Sequence, residues 1–470
     1  MTLITMIPIL AMAGTTMVPS GTPPAGAGFK LPPSLSRTLD NGVRIHVMEF
    51  RGLPLVNCNV IVSAGAAHDP KGKEGLADLT ATLLRKGTTS RSAMEIASEI
   101  DLLGATMEAV ADPDATQIKT EFLARDTEAA LSLLIDVLAH PAFSAEELER
   151  LRGEKIGALQ AVRDDPATLA GRRFLELLYG KHPYGHAVTG WEATVGAIAR
   201  EDVLDFYGRN YVPARMIVVA VGDFEAPAML ARLESLFSAL PAGSGGGASG
   251  GNAPLAEPVA PAARAIYLVD KPESTQSQIR IGGIGINRRD PDYIPLVVAN
   301  TILGGGFTSR LVEEIRVNRG LSYGVRSRML AQVQPGPFVI STFTKNATTL
   351  ETVKVALAEL EKFRRDGVTA AELEKARGYL KGTFAIHNQT GSALADALAD
   401  IAFYNLPADY YDTYLERIMA VTVEDIARVA QRLPFEKLQI VVLGEAKAVR
   451  SDLATLGSVK DVPLEAPPAR

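Results

Sequence analysis

Cysteine is almost absent. Cys58 alone cannot close a disulfide within the chain or build a cysteine zinc site. Histidine is scarce too, with six in 470 residues, so any His-based metal site must be found among few candidates. No long basic run occurs, and 48 Lys plus Arg against 54 Asp plus Glu leave a net charge of −6. Nothing here neutralises a phosphate backbone, so nucleic acid is not an expected partner. A long hydrophobic run is missing as well. The apolar leader is broken by Pro8 and Gly14 and falls short of the ~20 residues a spanning helix needs, so no stable membrane anchor is expected. What is present is ordinary: 47% apolar and 22% charged residues, the balance of a chain that buries cores, over a length that suits about two to four domains.

Composition divides the chain. The N-terminal MTLITMIPILAMAGTTMVPS has signal-peptide length and small residues at Ala11 and Ala13 that fit an A-x-A cleavage site, although no Lys or Arg precedes Lys30. Residues 1–33 are therefore read as a signal peptide and Pro/Gly-rich tether. Export to the periplasm is the expected location and the cytoplasm the alternative. From 241 to 264 apolar periodicity gives way to Gly, Ser, Ala and Pro, a flexible linker between a first block, 34–240, and a second, 265–460, with a tail at 461–470.

The two blocks echo each other. SAEELERLRGEKIGAL from Ser144 matches TAAELEKARGYLKGTF from Thr369, each a Ser or Thr N-cap followed by acidic residues and an amphipathic run. YVPARMIVVAVGD from Tyr211 matches LPFEKLQIVVLGE from Leu433, each a Pro-bearing turn, a β-branched strand and a Gly stop. Strand-like alternation opens both blocks, at Gly42 and Ser277. The expected class is α+β: two homologous repeats, each an antiparallel sheet with helices packed on it.

In EGLADLTATLLRKGT, Leu76, Leu79, Leu83 and Leu84 recur at helical spacing and Gly87 is a natural stop, which predicts a buried helix. Here the chain resembles the pitrilysin/insulinase family of zinc peptidases, which includes the mitochondrial processing peptidases. That family's first repeat carries Gly-Leu-Ala-His-x-x-Glu-His-x-x-x-x-Lys-Gly-Thr. Gly75-Leu76-Ala77 and Lys86-Gly87-Thr88 keep the frame, while the H-x-x-E-H positions fall on Asp78, Ala81 and Thr82. Two His at i and i+4 chelate zinc from one helical face and the Glu serves as general base. A carboxylate, a methyl and a hydroxyl replace none of this. The family's third ligand, a Glu on a later helix, falls on Ala158 in ELERLRGEKIGALQAVRDDP, with Glu154 one turn earlier.

Other histidines offer no rescue. His182 and His186 are spaced i, i+4, but Pro183 and Gly185 between them argue against a helix, and His46, His68, His140 and His387 are isolated. Cys58 lies in a β-branched run and reads as a small core residue.

The most specific passage is TILGGGFTSRLVEEIRVNRGLSYGVRS, from Thr301 to Ser327. Three glycines predict a turn. Thr308 or Ser309 then caps a short helix with Leu311, Val312 and Ile315 on its core side, and Leu321, Tyr323 and Val325 alternate as a strand. No Lys-Ser/Thr follows the glycines, so neither a P-loop nor a dinucleotide fingerprint is met. The passage is similar to the same family's C-terminal substrate motif, an Arg and a Tyr whose spacing Arg316 and Tyr323 match. The resemblance implies that this pair reaches across a clamshell chamber to hydrogen-bond peptide and the developing oxyanion.

With the substrate motif kept and the metal motif lost, the sequence points to a non-catalytic subunit of a two-subunit zinc metallopeptidase. On this expectation the chain binds no cofactor itself, zinc sits on a homologous partner subunit, and peptide is the substrate. The alternative is a silent assembly protein of the same fold. A peptidase with relocated ligands is the less favoured third reading.

Overall fold

The computed structural model describes residues 29–240 and 255–464. The leader to residue 28, linker residues 241–254 and tail residues 465–470 lie outside them, and with them the expected cleavage site and most of the expected linker.

The first half runs β1 (Ser34–Thr38), β2 (Arg44–Glu49), β3 (Leu55–Val62), α1 (Leu76–Leu83), α2 (Ala93–Leu102), β4 (Thr106–Ala111), β5 (Thr116–Leu123) and α3 (Thr127–Ala139). It continues through α4 (Ala145–Ala161), α5 (Pro166–Tyr179), α6 (Glu192–Gly196), α7 (Arg200–Asn210), β6 (Met216–Gly222) and α8 (Ala226–Ser238). The second half opens with β7 (Ala265–Asp270), β8 (Gln276–Ile284) and α9 (Tyr293–Asn300), followed by π-helical turns at Thr301–Gly305 and Val312–Asn318. Then come β9 (Val325–Met329), β10 (Pro337–Lys345), α10 (Thr349–Asp366), α11 (Ala370–His387), α12 (Gly391–Tyr404), α13 (Tyr414–Ala420), α14 (Val423–Ala430), β11 (Gln439–Gly444), α15 (Ala446–Leu453) and β12 (Val459–Val462).

Each half builds one sheet of six strands, in the orders β1-β2-β6-β3-β5-β4 and β12-β7-β11-β8-β10-β9. The expectation of antiparallel sheets needs correcting: both are mixed. β6 runs parallel to β2, and β11 and β12 run parallel to β7, while the other pairs are antiparallel. The reason is the route of the chain. β6 and β11 each return after a run of helices, and β12 after α15, crossovers of the length that a parallel neighbour needs.

The Val- and Ile-rich strands β6 and β11 are buried along their whole length, so each needs a cover on both faces. One cover comes from the half's own helices. The other comes from the opposite half: Leu394, Leu398 and Ala402 of α12 pack on Ile217, Val219 and Val221 of β6, while Leu169, Phe174 and Leu178 of α5 pack with Val441 and Leu443 of β11. The approach is close. A Cβ at Gly282 would fall 2.0 Å from the Phe338 carbonyl oxygen and 2.9 Å from Phe174 Cζ. Polar contacts close the seam, with Asp114 accepting from Val333 N at 3.0 Å and from the Tyr184 hydroxyl, and Tyr179 donating to Pro335 O at 3.0 Å.

The two echoed helices start as their sequences predict. Ser144 accepts from Glu147 N at 3.2 Å, and Thr369 forms a reciprocal capping box with Glu372. Cys58 is fully buried in β3, where burial pushes its thiol up to about 12. Among the described residues no helix is long and apolar enough to cross a membrane.

Candidate functional site

α1 begins where Asp69 accepts from Gly75 N at 2.8 Å and Ala77 N at 2.7 Å, two donors that a helix start leaves otherwise unpaired. Burial pushes the Asp69 carboxyl up to about 8, against the pull of those two donors. Leu76, Leu79, Leu83 and Leu84 turn into the core, as does Ala81. Asp78 and Thr82, one turn apart, share the opposite, half-buried face.

That face is already satisfied. Lys155 of α4 places its ammonium 2.5 Å from Asp78 Oδ2, and the Thr82 hydroxyl donates back to the Asp78 carbonyl at 2.8 Å. Ala158 is exposed, one turn beyond Lys155. Glu154, the acidic residue nearest in sequence to the expected third ligand, is exposed and pairs with Arg150 rather than turning to α1. Zinc wants three or four N, S or O donors converging at bonding distance. Here one carboxylate is opposed by an ammonium, one hydroxyl is engaged by backbone and two positions are methyls, so the residues present do not fit the metal. Among the described residues no group of three His, Cys, Asp or Glu converges elsewhere. His182 and His186 flank a short 3-10 turn at Pro183–Gly185 and donate to the carbonyls of Ala256 and Ala187.

The Arg316 region differs from its sequence reading in three ways. The segment after the glycines is a π-helical turn, Val312–Asn318, and neither Thr308 nor Ser309 caps it through its side chain. Ser309 Oγ is instead buried without a partner. The strand begins only at Val325, because Leu321 N turns back to bond Ile315 O at 2.9 Å, and Tyr323 therefore sits on the bend between turn and strand. Leu311, Val312 and Ile315 face the core as expected. π-helical turns are rare and recur at functional sites.

This geometry brings Arg316 and Tyr323 together, as their spacing suggested, and adds a residue the sequence reading passed over. The guanidinium lies 4.6 Å from the Tyr323 ring and 5.1 Å from the Phe307 ring, held between two aromatic faces. Both rings are open to solvent, Tyr323 at 78% and Phe307 at 72% exposure. Two neighbouring arginines are paired: Arg310 meets Glu372 at 2.6 Å, holding that carboxyl down at about 2, and Arg319 meets Glu314 at 2.7 Å. Arg316 faces no carboxylate among the described residues. Beside Phe307 opens a cleft of about 660 Å³ between the π-helical turns, α10 and α11, with Arg310, Glu372 and Tyr379 in its wall. No hydrogen bond or ion pair among the described residues links this cluster to Asp78 or Lys155.

Comparison with known families places both halves. The family described as insulinase (peptidase family M16) matches residues 52–190, and the one described as peptidase M16 inactive domain matches residues 197–380. The chain belongs to the insulinase family of peptidases. It is 29% identical over 426 residues, 88% of this chain and 94% of the relative, to an uncharacterized zinc protease of Mycobacterium tuberculosis. An uncharacterized zinc protease of Streptomyces coelicolor is 26% identical over 419 residues, 87% of this chain and 89% of that one. A non-peptidase homolog of Helicobacter pylori is 25% identical over 377 residues, 80% and 85% of the two chains. The crystal structure of a peptidase M16 inactive domain from Pseudomonas fluorescens superposes with a TM-score of 0.82 at 28% identity, covering 88% of this chain and 98% of that one.

The positions that the sequence resemblance aligned with the metal motif lie on two helices, Asp78, Ala81 and Thr82 on α1 and Ala158 on α4. Sequence reasoning missed Lys155 and Phe307. For Lys155 no local signal exists, since its partner lies 77 positions away. For Phe307 a signal was present, a large apolar residue set directly after three glycines.

Proposed function

We propose that this chain is the non-catalytic, substrate-binding subunit of a heteromeric insulinase-family zinc metallopeptidase acting on peptides or unfolded segments, with zinc carried by a homologous partner subunit. The observation that carries the reading is Arg316: a half-buried guanidinium held between the solvent-exposed rings of Phe307 and Tyr323 and facing no carboxylate among the described residues. Such a group presents fixed N–H donors to peptide carbonyls, and the Tyr323 hydroxyl adds a further donor beside them. Backbone recognition of this kind suits extended or unfolded segments, whose carbonyls are not engaged in their own secondary structure. The residues at Asp78, Ala81, Thr82 and Ala158 support assigning the metal to another chain. The apolar leader supports an exported, periplasmic protein, which N-terminal sequencing of the mature chain from its host would check.

The test is reconstitution. The chain alone should cleave no peptide, cleavage should appear on adding the zinc-bearing homologue from the same host, and Arg316→Ala and Tyr323→Phe should remove it. Full activity in mixtures carrying both substitutions would overturn the proposal. A second reading, a silent assembly protein, is favoured by the name of the Helicobacter pylori relative and by the exposed apolar residues Phe307, Val317 and Tyr323, which suit a protein interface. It predicts a stable complex whose properties ignore Arg316→Ala. The third reading, relocated metal ligands, requires stoichiometric zinc in the isolated, tag-free protein.

A further inference from the structure

The Asp78 and Lys155 pair joins the two helices that the family's metal would otherwise join. Its side chains are only 14% and 22% exposed, and the ammonium lies 2.5 Å from the carboxylate. Asp78 also lies within the electrostatic reach of Asp69, so an unopposed charge there would add to a buried acidic pair at the start of α1. No other cation approaches Asp78 among the described residues. We propose that the Lys155 ammonium takes the place of the metal cation: it neutralises Asp78, ties α1 to α4, and keeps a divalent cation out of the position. Like charges within a few ångströms repel strongly where water is scarce, so a metal could enter only by displacing the ammonium or stripping its proton. On this account the first half holds its metal-site geometry without metal, and restoring the lost ligands is not enough to restore metal binding.

The proposal rests on α1 being the family's metal helix and does not involve Arg316, so its outcome and that of the reconstitution assay are read separately. Two full-length variants test it. In both, Asp78→His, Ala81→Glu, Thr82→His and Ala158→Glu rebuild the donor set; one keeps Lys155 and the other adds Lys155→Ala. Calorimetric titration with zinc sulfate, with elemental analysis after dialysis, should show at least about tenfold weaker zinc binding where Lys155 remains, a difference of one order for a nearby like charge. Equal affinity overturns the proposal.

A thermal cycle in the otherwise native chain keeps the question decidable if the multiply substituted proteins do not fold. Asp78→Asn and Lys155→Met should each lower the melting temperature by roughly 2–4 °C. Because each removes the same interaction, the double variant should fall no further than the weaker single variant. Additive losses would overturn the proposal, and so would a fall in the wild-type melting temperature on adding EDTA.

Discussion

On the first half's α1, an aspartate meets a lysine at 2.5 Å and a threonine hydroxyl is turned to backbone. On the second half's π-helical turn, an arginine is held by two aromatic rings and faces no carboxylate among the described residues. The halves share the order of five strands, differing only in the edge strand (β1 in one, β12 in the other), and share the exchange of α5 and α12, so the fold does not explain the contrast. Side-chain accounting does. Where the polar groups of Asp78 and Thr82 are answered inside the chain, little chemistry is left there for a ligand. Where a guanidinium is oriented but unpaired, donors remain for one.

The largest expected effect probes what the halves share. Phe174→Ala should cost about 3–5 kcal/mol, the range for emptying a buried aromatic site, and although Phe174 lies in the first half, hydrogen exchange should rise in β8 and β11 of the second. Exchange confined to the first half would break the picture of reciprocal cover.

Next comes the contrast itself. Arg316→Ala should lower peptide cleavage in the reconstituted pair by about 10²-fold, the scale of one lost transition-state donor, while shifting stability by less than about 0.5 kcal/mol. Arg310→Ala should do the opposite to stability, costing about 1–3 kcal/mol because it leaves Glu372 with its Thr369 donors but no cation in a half-buried site. Chemical denaturation run beside the activity assay separates the two. A large stability loss in Arg316→Ala would mean that the cation is structural.

Acid should distinguish the sheets. Burial, aided by the Arg44 charge, holds the His46 imidazole down at about 4 from an ordinary 6.5. Between those values the unfolded chain binds a proton that the folded chain refuses, so stability rises with pH from about 4 to 6.5, and the loss is complete below 4. The second sheet contains no histidine. Replacing His46 with Gln should recover about 1–2 kcal/mol near pH 4, allowing for partial solvent screening. Urea midpoints at pH 4.5 and 7.5 would reveal it, and an unchanged difference between them would remove His46 from the account.

The smallest effect compares the echoed helices. Thr369→Ala removes the hydroxyl's two bonds, one from Glu372 N and one to the Glu372 carboxylate, and should cost about 1 kcal/mol; Ser144→Ala removes a single bond and should cost about 0.5 kcal/mol. Thermal melts suffice, and a reversed order would show that packing at the helix starts outweighs capping.

What could be read in the chain beforehand was local. The helix at Leu76 shows in its leucine spacing, the starts of α4 and α11 in Ser144 and Thr369, and the closing strands in their β-branched runs before Gly222 and Gly444. Each rests on residues a few positions apart, where helical and strand periodicities act directly. The repeated blocks were legible for the same reason, as short motifs in a fixed frame. The π-helical turn escaped because its apolar residues also fit an α-helix, and only the backbone return from Leu321 to Ile315 separates the two. Tertiary structure alone decided the parallel neighbours of β6 and β11, the exchange of α5 and α12, and the choice of Lys155 over Glu154 as the residue facing Asp78. These depend on which distant segments meet once both sheets seek a second cover, and no periodicity along the chain encodes that choice.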